Sequence, residues 1–109
     1  MENFDLPRLF AERPAGHSYF ELIRVPAISA GLYVLQTGEP DRQTPHREDE
    51  LYYVVGGKAT IRVGSEDQPV VAGTAIFVPA GVEHQFHSIV AELQVLVIFA
   101  PAETATSTA

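Results

Sequence analysis

The chain contains no cysteine, and only seven of its 109 residues are Lys or Arg. The absence of cysteine excludes disulfides, thiolate metal sites and cysteine nucleophiles, so any metal must be held by nitrogen and oxygen ligands. The formal net charge is −7, and the few basic residues are scattered along the sequence. Because nucleic acids and anionic membranes attract proteins through clusters of basic side chains, we expect neither as a partner.

Long apolar segments are absent as well. No stretch approaches the roughly 20 apolar residues that span a bilayer, and residues 1–5 include two acids and do not resemble a signal peptide. We therefore expect a cytoplasmic protein. The length fits one compact domain, and a hydrophobic content of 46% is typical of a globular chain.

Short β-rich segments separated by turn residues dominate the sequence from Tyr19 onward. Strands are predicted near residues 19–25, 31–37, 51–55, 59–63, 70–71, 75–78, 84–88 and 93–100. This spacing, without a long helical pattern, predicts an all-β sandwich or barrel. We expect an N-terminal extension over 1–18, with a short helix near 6–13 broken by Pro7 and Pro14, a barrel over 19–100, and a disordered tail over 101–109.

Three of the four histidines lie in or beside two spaced motifs whose residues could bind a metal ion. The first is G-x5-T-x-H-x3-E-x6-G over residues 38–57, and the second is G-x5-P-x-G-x2-H-x3-S over residues 73–88. Two imidazoles and a carboxylate are a suitable ligand set for a divalent transition metal. A straight strand would hold the Cα atoms of His46 and Glu50 about 13 Å apart, so residues 47–49 must bend or bulge for both side chains to reach one ion.

These segments resemble the paired motifs of the cupin superfamily, G-x5-H-x-H-x3,4-E-x6-G and G-x5-P-x-G-x2-H-x3-N. The resemblance implies a small single-domain (monocupin) protein with a double-stranded β-helix, or jelly-roll, barrel. It assigns His46, Glu50 and His84 to a divalent metal ion, with Fe, Mn, Ni, Cu and Zn all open. Two positions depart from the family pattern, because Thr44 replaces the first histidine and Ser88 replaces the final asparagine.

The replacement by Thr44 leaves two outcomes open, since a neutral hydroxyl is a weak metal ligand. Either the remaining two histidines and one carboxylate hold the ion as a facial triad, or the protein works without metal. Glu48 is a candidate substitute ligand, but we favour its placement in a solvated acidic bend with Asp49.

Residues two positions after a presumed ligand lie on the same face of the strand and should line the same cavity. Phe86 follows His84 by two and Tyr52 follows Glu50 by two, so both are predicted to contact a substrate together with Thr44. For Tyr52, a core aromatic with a partnered hydroxyl is the favoured alternative. The remaining assignments are surface positions for His17 and His87 and core positions for Phe77 and Phe99.

The resemblance implies that such a site supports a metal-dependent oxygenase, a dioxygenase-like oxidoreductase acting on a small organic substrate. Glu50 would remain a ligand or act as a catalytic base. Two alternatives stay open: a non-enzymatic module that binds or senses a small molecule, and a metal-free isomerase. Besides the small molecule, the expected partner is a second copy of the chain, with strand 19–25 as a candidate edge in a homodimer.

Overall fold

The computed structural model describes residues 1–13, 18–41 and 45–104, and the fold is given for these residues. One short helix precedes an antiparallel sheet, so the predicted all-β class is confirmed. The elements are α1 (Leu6–Glu12), β1 (Tyr19–Val25), β2 (Ile28–Leu35), β3 (Asp49–Val63), β4 (Glu66–Val71), β5 (Ala75–Val78) and β6 (His84–Ala100). Hydrogen-bonded neighbours follow the order β1-β2-β6-β3-β4, and β5 pairs with β3 beside this path.

The two longest strands, β3 and β6, bend together and allow the sheet to enclose a core. The first part of β3 pairs with the end of β6, and the last part of β3 pairs with the start of β6. Register shifts accumulate between Val54 and Thr60, and such bulges increase local twist. Gly57 lies there with φ +95°, and a Cβ at this position would come within 2.2 Å of the Glu92 carbonyl oxygen. The four strands predicted for these regions are therefore two continuous strands with bulges.

The interior is filled by side chains that alternate along the strands. Its aromatic members include Tyr33, Tyr52, Phe86 and Phe99. Phe99 is fully buried, as predicted, whereas Phe77 is 58% exposed. The core assignment of Phe77 was wrong because β5 alternates the other way: Val78 faces inward, and Phe77 lies on the outer face beside exposed Leu51.

Helix α1 packs on the outside of the sheet through Phe10, which is buried with Leu32 and Val34 in a second apolar cluster. Pro7 does not break the helix, contrary to the prediction. It lies in the first turn, where the backbone N–H has no intrahelical acceptor in any case. Asp5 caps this turn by accepting a hydrogen bond from the Arg8 backbone N–H.

The beginning of the predicted tail is packed against the sheet. The Glu103 backbone N–H donates to Ser29 Oγ (2.9 Å), and Arg24 Nη1 donates to the Glu103 carbonyl oxygen (2.7 Å). These long-range bonds hold residues 101–104 in place, which the local sequence does not indicate. Residues 105–109 lie outside the described part of the chain. Among the described residues, no helix is long and apolar enough to cross a membrane.

Candidate metal centre

Glu50 lies at the start of β3, His84 lies at the start of β6, and His46 lies in the loop before β3. Residues 47 and 48 form a bend before β3 begins at Asp49, so the predicted bend between His46 and Glu50 is confirmed. The Gly81 backbone N–H, in the turn that leads to His84, donates to the His46 carbonyl oxygen (2.7 Å). The two motif segments are therefore joined directly by a main-chain hydrogen bond.

The side chains of His46, Glu50 and His84 converge in the interior. Glu50 Oε1 lies 3.0 Å from His84 Nε2 and 3.9 Å from His46 Nε2. Each residue offers one ligand atom, and these atoms all lie within 4.8 Å of one another. Since ligand atoms sit about 2.0–2.2 Å from such an ion, two of them are at most about 4.4 Å apart. The three side chains are therefore close enough to converge on one ion after side-chain adjustment.

The donor set also fits a cation chemically. Both carboxylate oxygens of Glu50 are buried and have no hydrogen-bond partner within the described part of the chain. A buried carboxylate without partners is costly. A divalent ion between Glu50 and the two imidazoles would satisfy these oxygens, so the residues present suit the metal that the motif pattern implies.

His84 is oriented by its own turn. Its Nδ1 lies 2.9 Å from the Val82 carbonyl oxygen. Because a carbonyl oxygen only accepts hydrogen bonds, Nδ1 carries a proton, and Nε2 is the nitrogen that faces Glu50. Burial of the ring lowers its pKa, but the Glu50 carboxylate and the Val82 carbonyl outweigh burial and raise the pKa of His84 above its ordinary value.

Asp41 links the strand that carries His84 to Tyr33 through two hydrogen bonds, a role that the sequence did not predict. It is buried, accepts a hydrogen bond from the Tyr33 hydroxyl, and accepts a second from the Phe86 backbone N–H (2.7 Å). Burial and the adjacent carboxylate raise the pKa of Tyr33. The sequence placed Asp41 in a Gly-Glu-Pro-Asp turn, and nothing local distinguished it from an ordinary turn residue.

Two further acids lie near the ligands and are buried. Glu48 is 3% exposed and accepts a hydrogen bond from Thr104 Oγ1 (2.9 Å). The expectation of a solvated Glu48 was therefore wrong, because residues 101–104 cover it. Glu103 is 1% exposed, and its Oε2 lies 3.7 Å from His46 Nδ1. Burial and the carboxylates of Glu50 and Glu48 raise the pKa of Glu103 to about 7.

The predicted substrate residues have different outcomes. Tyr52 and Phe86 are buried and pack edge to face, with ring centroids 4.9 Å apart. The Tyr52 ring lies 6.0 Å from that of His84. They form an aromatic wall beside the ligands, and their contact with a substrate stays a prediction. Thr44 and His17 lie outside the described residues.

His87 and Ser88 lie away from the centre. His87 is partly exposed, as expected of a surface position, and its Nε2 lies 2.7 Å from Asp67 Oδ1. Ser88 is exposed with φ +52°, and its Oγ contacts His87 Nδ1 at 2.9 Å. The Ser88 departure from the family pattern therefore does not touch the presumed ligands.

A cavity of about 440 Å³, lined by both polar and apolar residues, opens between β4 and β5. Ile61, Val63, Val70 and Ile76 are among its lining residues. Ile76 pairs across the sheet with Tyr52, but none of the three presumed ligands lines this cavity. A smaller cavity of about 250 Å³ reaches His84 itself and is lined by polar residues including Arg62 and Glu83.

Comparison with known proteins agrees with this architecture. A family model described as "Cupin domain" matches residues 31–100. An uncharacterized protein from Streptomyces coelicolor is 47% identical over 105 residues, covering 95% of this chain and 100% of that protein. The crystal structure of TT1209 from Thermus thermophilus is similar with a TM-score of 0.78 and 29% identity, covering 94% of this chain and 99% of that chain.

A more distant solved structure shows the same fold. It is an RmlC-like cupin from Shewanella frigidimarina, similar with a TM-score of 0.72 at 23% identity, and the match covers 82% of this chain and 81% of that one. At this identity the likeness concerns the jelly-roll architecture alone.

Proposed function

Since the chain belongs to the cupin family, whose model spans residues 31–100, we propose that it binds one divalent transition-metal ion through His46, Glu50 and His84. The observation that carries the proposal is the pair of buried Glu50 oxygens that face two imidazoles and lack hydrogen bonds from the described residues. A site of this kind is stable once a cation replaces the missing partners.

The local charge supports the same proposal. Three acids are buried around the centre: Glu48, Glu50 and Glu103. Carboxylates that share a buried site repel one another. A divalent cation would offset two of these charges at the position where Glu50 already faces His46 and His84.

We propose further that the centre serves a metal-dependent oxygenase acting on a small organic substrate. A metal held by two histidines and one carboxylate leaves coordination positions open and polarises a bound oxygen-bearing ligand. The protein would supply the enclosure: Tyr52 and Phe86 keep one side of the site apolar and dry. The cavity of about 440 Å³ between β4 and β5 lies within the usual size range for small-molecule sites.

A non-enzymatic binding module is the second candidate, and the closure of the site favours it. The ligand side chains are nearly inaccessible, with 5% exposure for His46 and 1% for both Glu50 and His84. Because a catalytic centre must exchange substrate and product, a centre this enclosed suits retention of a small molecule better than turnover.

Elemental analysis of protein purified without chelators or a metal column tests the metal. We expect about one transition-metal ion per chain, and trace levels would remove the proposal. Oxygen uptake with a panel of small enolic and thiol substrates then separates the candidates. Metal-dependent uptake supports the oxygenase. Thermal stabilisation by a panel compound without uptake supports the binding module.

A further inference from the structure

Residues 101–104 form a strap that brings an acidic side chain to the metal centre from the far end of the chain. Four hydrogen bonds fasten the strap: the two main-chain bonds of Glu103 to Ser29 and Arg24, the bond of the Ala102 N–H to the Pro26 carbonyl oxygen (3.3 Å), and the bond of Thr104 Oγ1 to Glu48. Ordering a chain segment costs about 1–2 kcal/mol per residue. These anchors hold Glu103 in one place despite that cost.

The Glu103 side chain is directed inward from this strap. It is fully inaccessible, and neither carboxylate oxygen has a hydrogen-bond partner among the residues described. The Oε2 atom of Glu103 lies 3.7 Å from His46 Nδ1. The other nitrogen of the same ring, Nε2, lies 3.9 Å from Glu50. The His46 ring therefore lies between two buried carboxylates, one facing each nitrogen.

We infer that Glu103 is a positioning residue for His46: its carboxylate accepts the Nδ1–H and leaves Nε2 to bind the metal. A neutral imidazole has one N–H, and the acceptor nearest to each nitrogen decides which tautomer prevails. Metal-binding histidines usually donate their second nitrogen to a carboxylate or carbonyl group. His84 already follows this rule through the Val82 carbonyl, and Glu103 supplies the corresponding acceptor for His46.

The geometry requires only a small movement to complete this contact. The separation of 3.7 Å exceeds an N–H···O hydrogen bond by about 0.5–1 Å. A side chain anchored through its main chain can close such a gap by rotation about its own χ angles. The alternative, that the strap only covers the interior, assigns no role to a carboxylate where a buried apolar side chain would cost less.

The expected effect of Glu103 on metal affinity rests on the proposed function, whereas its effect on the tautomer of His46 does not. The experiment therefore measures both. Long-range ¹H–¹⁵N correlation spectra of metal-free, ¹⁵N-histidine-labelled protein report which nitrogen of His46 carries the proton. Zinc affinity is measured by competition with a chromophoric chelator. The variants are Glu103→Ala, Glu103→Gln and, as a control for an exposed acid outside the site, Glu12→Gln on α1.

We expect His46 to carry its proton on Nδ1 in the wild type and in Glu12→Gln, and to shift toward the Nε2–H form in Glu103→Ala. Glu103→Gln retains a carbonyl acceptor and should keep the Nδ1–H form. Zinc affinity should fall about 10–100-fold in Glu103→Ala and less in Glu103→Gln.

An Nε2–H form in the wild type, or a tautomer unchanged by Glu103→Ala, would overturn the inference. So would a zinc affinity unchanged by Glu103→Ala. If the wild type binds no zinc, the proposed function fails, and the tautomer alone still decides the role of Glu103.

Discussion

The backbone N–H of Gly81 donates a 2.7 Å hydrogen bond to the carbonyl oxygen of His46. This bond ties the turn before His84 to the loop that carries His46, so two ligands 38 positions apart in sequence are held at a fixed distance. The neighbouring Ala80 N–H adds a second tie by donating to Asp49 Oδ1 (2.9 Å). The loop-to-turn connection, rather than either strand alone, sets the spacing of the metal centre.

Gly81→Ala should therefore weaken metal binding as well as stability. Gly81 has φ +80° with open space around it, so alanine costs about 1 kcal/mol through backbone strain. Gly73→Ala is the matched control, since Gly73 has φ +94°, equally open surroundings and a place in the β4–β5 turn. Thermal melts should show similar losses for both variants, whereas zinc titration should show weaker binding for Gly81→Ala alone. Equal affinities would contradict the role given to this turn.

Substitution of two buried phenylalanines should show that the free energy of unfolding and the zinc affinity depend on different parts of the structure. Phe10→Ala empties the cluster beneath α1, and Phe86→Ala empties the aromatic wall beside Tyr52. Each should cost about 3–5 kcal/mol of unfolding free energy, measured by denaturant titration. Zinc affinity of the folded protein should remain at the wild-type value in Phe10→Ala and fall in Phe86→Ala. The reverse pattern would show that the wall does not support the ligands.

The metal-free protein should lose stability as the pH rises through the titration of Glu103. Its pKa is raised from 4.5 to about 7, so the folded state binds the proton more tightly than the unfolded state. The stabilisation is complete below pH 4.5 and is lost toward pH 7 and above. Glu103→Gln removes this ionisation.

The difference in melting temperature, variant minus wild type, should thus become more positive between pH 4.5 and pH 8. The change corresponds to about 1–2 kcal/mol after allowance for solvent screening. A difference that does not change with pH would show that Glu103 titrates normally.

Much of the site could be predicted from the sequence because its spacing is local. The bend before Glu50 followed from the distance that a straight strand would impose between His46 and Glu50. The turn before His84 followed from the conformational limits of Pro79 and Gly81. These features depend on a few neighbouring residues, and the structure confirms the bend and the positive φ of Gly81.

The missed features depend on long-range contacts. Gly56 and Gly57 resemble a hairpin turn in sequence, yet β3 continues through them because β6 bends alongside. Glu48 looked solvated because the residue that covers it, Thr104, is 56 positions away. Glu103 lies in a short segment of small and polar residues without periodicity, and its burial comes from Ser29 and Arg24. No local pattern encodes such partners.

The homodimer expected from the sequence stays a prediction. Strand β1 does lie at the edge of the described sheet, but it carries a bulge between Glu21 and Ile23 and an ion pair of Arg24 with Glu21 (2.7 Å). Such features limit open-ended strand addition, so we expect a closed dimer rather than larger assemblies. Light scattering at micromolar concentration should give the dimer mass, and a monomer there would contradict it.

The most direct test of the metal centre is zinc titration of the chelator-treated protein and three histidine variants. Wild type and His87→Ala, which alters a partly exposed histidine paired with Asp67, should bind one ion per chain with equal affinity. His46→Ala and His84→Ala should lose at least two orders of magnitude in affinity, because each removes a ligand. Equal binding by all four proteins, or no binding by the wild type, would contradict the account.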